Sequence, residues 1–137
     1  MQLKVEAWYH GSPVQLDSLR TGSTITPYRH VAEVFSHKPS MVRVDDAGFI
    51  QHNGSLPGYL YLVEETLSDA DVYMHPRSTM QVGWEWLTRR DLPLRLLGVV
   101  TITAHEQLSN AEVAELLEKA KIAVKAEAER RETGDAA

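Results

Sequence analysis

The stretch Trp84-Glu85-Trp86-Leu87-Thr88, with the apolar run Leu92 to Val100 close behind it, decides how the rest of the chain is read. Glutamate is almost never buried unless paired, and tryptophan brings a large apolar surface that seeks a core. In an extended chain residues 84 and 86 share one face and Glu85 takes the other. That alternation suits a carboxylate directed into a cleft, and it equally suits one left in water on an edge strand. Far upstream stands Tyr9-His10-Gly11-Ser12, closing the first strand-like segment, Leu3 to Tyr9, in which apolar and polar residues alternate.

Around these two segments the chain is ordinary in composition. Its 137 residues suffice for one core and are too few for two. Apolar residues make up 43% and charged residues 24%, the balance of a globular domain. No apolar run approaches the roughly 18 residues of a membrane span, and the N-terminal residues lack the apolar core of a signal peptide. With no cysteine, disulfides, thiolate catalysis and cysteine zinc sites are all excluded. A cytoplasmic protein is the expectation. The net charge of −5 speaks against long nucleic-acid tracts, whose phosphates require a basic face, but not against a short or end-bound substrate.

The remaining pattern predicts an α+β domain of many short strands with one inserted and one appended helix. Leu16 to Leu19 reads as a short helical turn and Ser23 to Thr26 as a second strand. Thr26-Pro27 reads as a helix start, the threonine hydroxyl capping and the proline fitting the first turn. Tyr28, Val31, Ala32 and Phe35 follow on one helical face, and the helix should stop near Pro39. Met41 to Ile50 reads as a strand around an Asp46-Ala47-Gly48 turn. Tyr59 to Val63 is continuous enough to be a central strand. Glu85 to Thr88 and Leu94 to Thr103 read as the last two strands. Ser109-x-x-Glu112 is a capping box, and Val113, Leu116, Leu117, Ala120 and Val124 form a stripe along a long amphipathic helix. The expected division is a domain over 1–108, a helix over 109–131 packed back on it, and a frayed tail over 132–137. His30 and His37 lie seven apart with no acidic partner at ligand spacing, so no metal site is expected.

Three of these blocks, in this order, resemble the ADP-ribosyltransferases of the poly(ADP-ribose) polymerase and diphtheria-toxin class. Tyr9-His10-Gly11-Ser12 resembles the family's opening motif. Ile25-Thr26-Pro27 with Ala32 and Phe35 resembles its second block, and Trp84-Glu85-Trp86-Leu87-Thr88 through Val100 its third, where a catalytic glutamate opens a strand. The resemblance covers Trp8 to Val100. It implies a compact split β-sheet core, NAD as the substrate, and transfer of ADP-ribose to an acceptor that is a protein, a nucleic acid or a small molecule. It further implies Glu85 and His10 as catalytic residues, with Gly11, Ser12, Thr26, Tyr28 and Phe35 around the NAD. Where the polymerase branch carries a tyrosine on the second-block strand, this chain has Thr24-Ile25-Thr26, so either Phe35 or Tyr28 is left to stack on nicotinamide.

The chemistry independently calls for these residue types. Cleaving the nicotinamide–ribose bond passes through an oxocarbenium-like ribose, which a carboxylate in a water-poor site stabilises. A histidine of fixed tautomer can bind a ribose hydroxyl, and a glycine lets backbone approach a ligand closely. Two rival readings stand beside this one. The first is a non-catalytic NAD-, ADP-ribose- or protein-binding module. The second is an RNA 2′-phosphotransferase-like enzyme, which needs Arg29, Arg43, Arg77, Arg89, Arg90 and Arg95 to converge on phosphates. His75 and Arg77 lie in the loop before Glu85, which the resemblance to ADP-ribosyltransferases implies as an acceptor-selecting loop; they would either bind a phosphate or an acidic target there or merely cap neighbouring strand ends.

Overall fold

The computed structural model describes residues 5–132. Tyr59 to Val63 forms the centre of the molecule as expected: β6 (Gly58–Val63) is flanked by β1 (Tyr9–Ser12) and β9 (Leu92–Val100), and β2 (Ser18–Leu19) adds to the far end of β9. All pairings in this four-stranded sheet are antiparallel. A second sheet is ordered β3-β8-β7, from β3 (Thr24–Ile25), β8 (Trp86–Thr88) and β7 (Val72–Met74). The hairpin of β4 (Val42–Val44) and β5 (Ile50–His52) stands apart from both. The result is a mixed α+β fold with divided antiparallel sheets and two helices, α1 (Arg29–Phe35) and α2 (Asn110–Glu132).

Several boundaries differ from expectation because long-range pairing overrides local pattern. The first strand begins at Tyr9 rather than near Leu3, and residues 1–4 lie outside the described part. Trp8, just before it, is sunk in the core. Leu16 to Leu19 is no helical turn, since Ser18 and Leu19 are extended against Pro93 and Leu92. Thr26 does not cap α1. Its hydroxyl accepts the Tyr28 N–H at 3.1 Å in a local turn, and Tyr28 itself occupies the cap position. The helix closes at Phe35, well short of Pro39, and Lys38 turns the chain with a positive φ of 51°.

Locally coded features appear where the pattern placed them. The Asp45 carboxylate accepts the Ala47 and Phe49 N–H groups and closes the β4–β5 turn. In the capping box, Ser109 Oγ accepts the Glu112 N–H at 3.1 Å and Glu112 accepts the Ser109 N–H at 3.0 Å. The long helix that follows is anchored at its start. Arg43 bonds Glu112 at 2.6 Å, and Val113 and Leu116 are half-buried. From Leu117 to Glu129 every side chain is exposed, Leu117 by 48% and Val124 by 70%. The expectation that residues 109–131 pack back on the domain as an amphipathic helix therefore fails beyond two turns. Alanines and charges interrupt the stripe and leave little apolar area to bury, and the Glu115–Lys119 pair supports the helix in water. Glu132 belongs to this helix rather than to a tail, and residues 133–137 lie outside the described part.

Two apolar clusters share the interior. One gathers Trp8, Leu19, Ile25, Val63, Leu67, Val72 and Leu92 between the two larger sheets. The other gathers Val31, Val34, Ile50 and Trp84 between α1 and the β4–β5 hairpin. Helix α1 reaches its place because two glycines clear a seat for it. A Cβ on Gly11 would collide with the Ala32 carbonyl and lie 2.7 Å from the Ser36 nitrogen, and one on Gly58 would collide with the Ser36 hydroxyl. Gly11→Ala is expected to lower stability by about 3 kcal/mol, seen as a fall in the urea midpoint at unchanged slope. A midpoint within error of the parent would mean the helix is not held by this contact.

Candidate functional site

A cavity of about 220 Å³ opens between β1, β3, α1 and the entry to β8. It is lined by Tyr9, His10, Gly11, Thr24, Ile25, Thr26, Ala32, Phe35 and Glu85. Five residues singled out in the sequence, His10, Gly11, Thr26, Phe35 and Glu85, thus meet in one place although they come from three segments of the chain. Two others do not. Ser12 is buried, its hydroxyl donating to the Val14 carbonyl at 2.7 Å and accepting the Val14 N–H in a turn. Tyr28 is 44% exposed and leans against His30 and Trp84 outside the cavity.

Strand β3 is the splint that assembles the site. Its neighbour Thr26 exchanges two backbone hydrogen bonds with Tyr9, at 2.8 and 3.0 Å, joining the second sheet to β1. On the other side Thr24 pairs with Leu87 and Ile25 with Trp86. Glu85 therefore enters level with Thr26, one step beyond the last pair. Thr24 also fixes His10. The His10 Nδ1 lies 2.6 Å from the Thr24 carbonyl oxygen, which can only accept, so Nδ1 carries the proton and Nε2 keeps its lone pair. Burial lowers the His10 pKa from the ordinary 6.5, and the bond to Thr24, which favours the charged ring, offsets only part of that. The ring is held neutral, with an acceptor nitrogen available.

Glu85 is positioned by its neighbours rather than by hydrogen bonds to its carboxylate. Trp84 is buried in the cluster beneath α1, whereas Trp86 packs on the other cluster with its ring edge-on to Trp8, centroids 5.6 Å apart. The two tryptophans thus enter two different cores, not one face, because the strand proper begins only at Trp86. The Trp86 indole N–H donates to the Gly83 carbonyl at 2.9 Å, and Gly83 has a positive φ of 84° that suits glycine. The His75 N–H donates to the Glu85 carbonyl at 3.0 Å, and the His75 ring accepts the Arg77 N–H. These contacts match the strand-end capping role for His75. The half-buried Glu85 carboxylate lines the cavity and has no hydrogen-bond partner among the described residues.

Gly11 lines the cavity and also serves the packing around it. Its missing side chain admits α1, which brings Ala32 and Phe35 to the cavity wall. Sequence reading missed Tyr9, Thr24 and Ile25. The contribution of Thr24 comes through its carbonyl, a group every residue has, so no side-chain signal could announce it. None of the six arginines lines the cavity. Arg90 is engaged by Glu65 and Asp71, Arg43 by Gln51 and Glu112, Arg29 by Glu33, and Arg89 lies over the Tyr73 ring. The convergence that a phosphate cradle needs is not met among the described residues. Compared with family models, curated proteins and solved structures, the chain matches none.

The state of His10 is open to measurement. Its imidazole is expected to titrate below 6.5 in the folded protein, read from ring-nitrogen chemical shifts. Between 6.5 and the folded value the unfolded chain binds the proton more readily. The stability contributed by the neutral ring is therefore complete above that window and falls as pH drops through it. A folded His10 titrating at 6.5 would place the ring in water, and one titrating higher would place it beside a negative charge.

Proposed function

We propose that the chain is an NAD-dependent ADP-ribosyltransferase that cleaves the nicotinamide–ribose bond at this cavity. One observation carries the reading: an acceptor imidazole of fixed tautomer, an aromatic beside a small residue, and a carboxylate with no partner among the described residues line one small cavity. At about 30 Å³ per water the cavity holds the equivalent of roughly seven waters, room for one flat heteroaromatic ring. The rest of a dinucleotide would lie across the mouth.

Each residue has a distinct task in this reading. Phe35 supplies a flat face for nicotinamide, and Ala32 beside it leaves the space. His10 Nε2 accepts a ribose hydroxyl. Nicotinamide departs with the electron pair of the broken bond, and the Glu85 carboxylate stabilises the cationic ribose that remains. The acceptor's lone pair then closes on the anomeric carbon, and the proton it sheds passes to Glu85. Placing the unpaired carboxylate at the seam of two cores excludes water from one side and leaves the other for the acceptor.

Glu85→Gln keeps size and polarity but loses the charge. It is expected to cut NAD turnover by roughly a hundredfold or more, while NAD affinity, followed by calorimetry, stays within several-fold. Wild-type turnover in this variant would remove the proposal.

The aromatic assignment makes a separate claim. Phe35→Leu retains an apolar filler and loses the flat face, so it should reduce turnover more than Tyr28→Leu, whose ring lies outside the cavity. Circular-dichroism melts must show both variants equally folded, because Phe35 also packs against the cluster beneath α1. Greater damage from Tyr28→Leu would move the nicotinamide site to the exposed side of α1.

A further inference from the structure

Helix α1 has a second cavity on its other side. Ala32 and Phe35 line the candidate site. His30, Glu33 and Val34, about half a turn away at about 100° per residue, line a cavity of about 650 Å³. The β4–β5 turn contributes Phe49 to it, the end of β9 contributes Val99, and the segment that follows contributes Glu106. These walls are set by the protein's own bonds. The Asp45 carboxylate holds the turn. On β5 the His52 N–H donates to the Glu106 carbonyl and its own carbonyl accepts the Leu108 N–H, both at 2.8 Å, which fixes Glu106 beside the hairpin.

The charge in this cavity is poorly compensated. Both oxygens of the half-buried Glu106 carboxylate accept hydrogen bonds, but from neutral donors. One accepts the Thr103 N–H and the other the His52 Nε2–H at 3.0 Å. The His52 Nδ1 accepts the Gly54 N–H at 3.1 Å, so that ring carries one proton and no charge. Burial works against ionisation of Glu106, but the hydrogen bonds outweigh it and hold the carboxyl below its usual range. Glu33 pairs with Arg29 at 3.9 Å, and both side chains are open to solvent, so the pair is weak. Among the described residues no lysine or arginine lines the cavity, and the histidine that does, His30, lies edge-on to Trp84. Much of the remaining wall is apolar. Val34 and Ile50 are buried in the cluster beneath α1, while Phe49 and Val99 are 46% and 66% exposed. Two large apolar side chains from different elements, left in water around one concavity, are the lining of a pocket.

We propose that this cavity binds a small organic cation, an ammonium or guanidinium group on an apolar stem. Glu106 and Glu33 hold the charge, and the stem lies along Phe49 and Val99. Charge complementarity picks the sign of the ligand, and the donor set picks its kind. Calcium takes about six to eight oxygen ligands, whereas no group of three metal-ligating side chains occurs among the described residues. An organic cation needs only one or two carboxylates and gains the rest of its binding from apolar contact and from the ring face of Phe49. The cavity has about three times the room of the candidate site, which suits a ligand with a stem rather than a bare ion. None of these residues lines the cavity of His10 and Glu85, so cation binding here does not depend on what that cavity does.

Phenethylammonium and phenethyl alcohol share a stem and differ in charge, and calorimetry with chemical-shift mapping on the whole chain tests both. The ammonium should bind with a dissociation constant of about a millimolar or tighter and should shift Phe49 and Val99. The alcohol should bind at least about tenfold more weakly, and Glu106→Gln should weaken the ammonium by as much. Glu33→Gln leaves the Glu106 hydrogen bonds intact and should weaken it several-fold, which keeps the test decisive if Glu106→Gln melts below the parent. Val99→Lys places a tethered cation at the rim and should abolish binding in a protein that melts with the parent. No binding up to about ten millimolar, equal affinity for alcohol and ammonium, or indifference to both Glu33→Gln and Val99→Lys overturns the proposal. So do shifts at His10 and Phe35 in place of Phe49 and Val99, which would put the cation in the smaller cavity.

Discussion

Helix α1 lies directly on the backbone of β1 and β6, and the rest of the site depends on that contact. Gly11 and Gly58 remove the two side chains that would hold the helix off the sheet. With the helix seated, Ala32 and Phe35 form one wall of a cavity whose opposite wall is His10 and the β3 backbone. A helix standing off by the thickness of a methyl group would open that cavity to water and lose the match between its walls. The interior is packed to crystal-like density, so such a shift has no compensating relaxation nearby.

The second constraint is the division of the core. Trp84 and Trp86 are two residues apart yet belong to separate apolar clusters, and Glu85 is stretched across the seam between them. A seam is the one interior place where a carboxylate can be half-shielded without lying inside an apolar cluster, where an unpaired charge would be expelled or neutralised. The tryptophans supply the rigidity that hydrogen bonds supply elsewhere. Their burial fixes the backbone on both sides of Glu85, and its carboxylate has no partner among the described residues.

What could be read from the sequence follows the range of the interactions involved. The Asp45 turn, the Ser109–Glu112 capping box and the apolar run Tyr59 to Val63 are encoded within a few residues, and each appears where its pattern placed it. The start of β1 and the pairing of Ser18 and Leu19 are decided by partners dozens of residues away, and their local signals pointed elsewhere. The candidate site divides the same way. His10, Gly11, Thr26, Phe35 and Glu85 converge because β3 pairs with β8 on one side while Thr26 bonds Tyr9 on the other. Tyr28 shared a helical face with Phe35 on the assumption that the helix began at Pro27. With Tyr28 as the cap residue, extended at a φ of −105°, that periodicity does not apply to it. Ser12 points into its own turn rather than toward a ligand because Val14 claims its hydroxyl from both sides.

Helix α1 also shows why local and global structure cannot be separated here. It spans only Arg29–Phe35, has no side-chain cap, and carries neither an acidic residue in its first turn nor a basic one in its last. Isolated helices shorter than about 12 residues are marginal in water even with good caps. Nothing in α1 itself would hold it helical, and its Val31, Ala32 and Val34 are buried against sheet and hairpin instead. The histidines behind it extend that dependence. His37, two residues past Phe35, stacks in parallel on His52 with ring centroids 5.6 Å apart, and His52 donates to Glu106. The helix that walls the candidate site is thus held on its other side by the hairpin and by the segment following β9. Changes in the cluster of Val34, Ile50 and Trp84 reach the cavity through α1, most directly through Phe35, which packs against that cluster and lines the cavity.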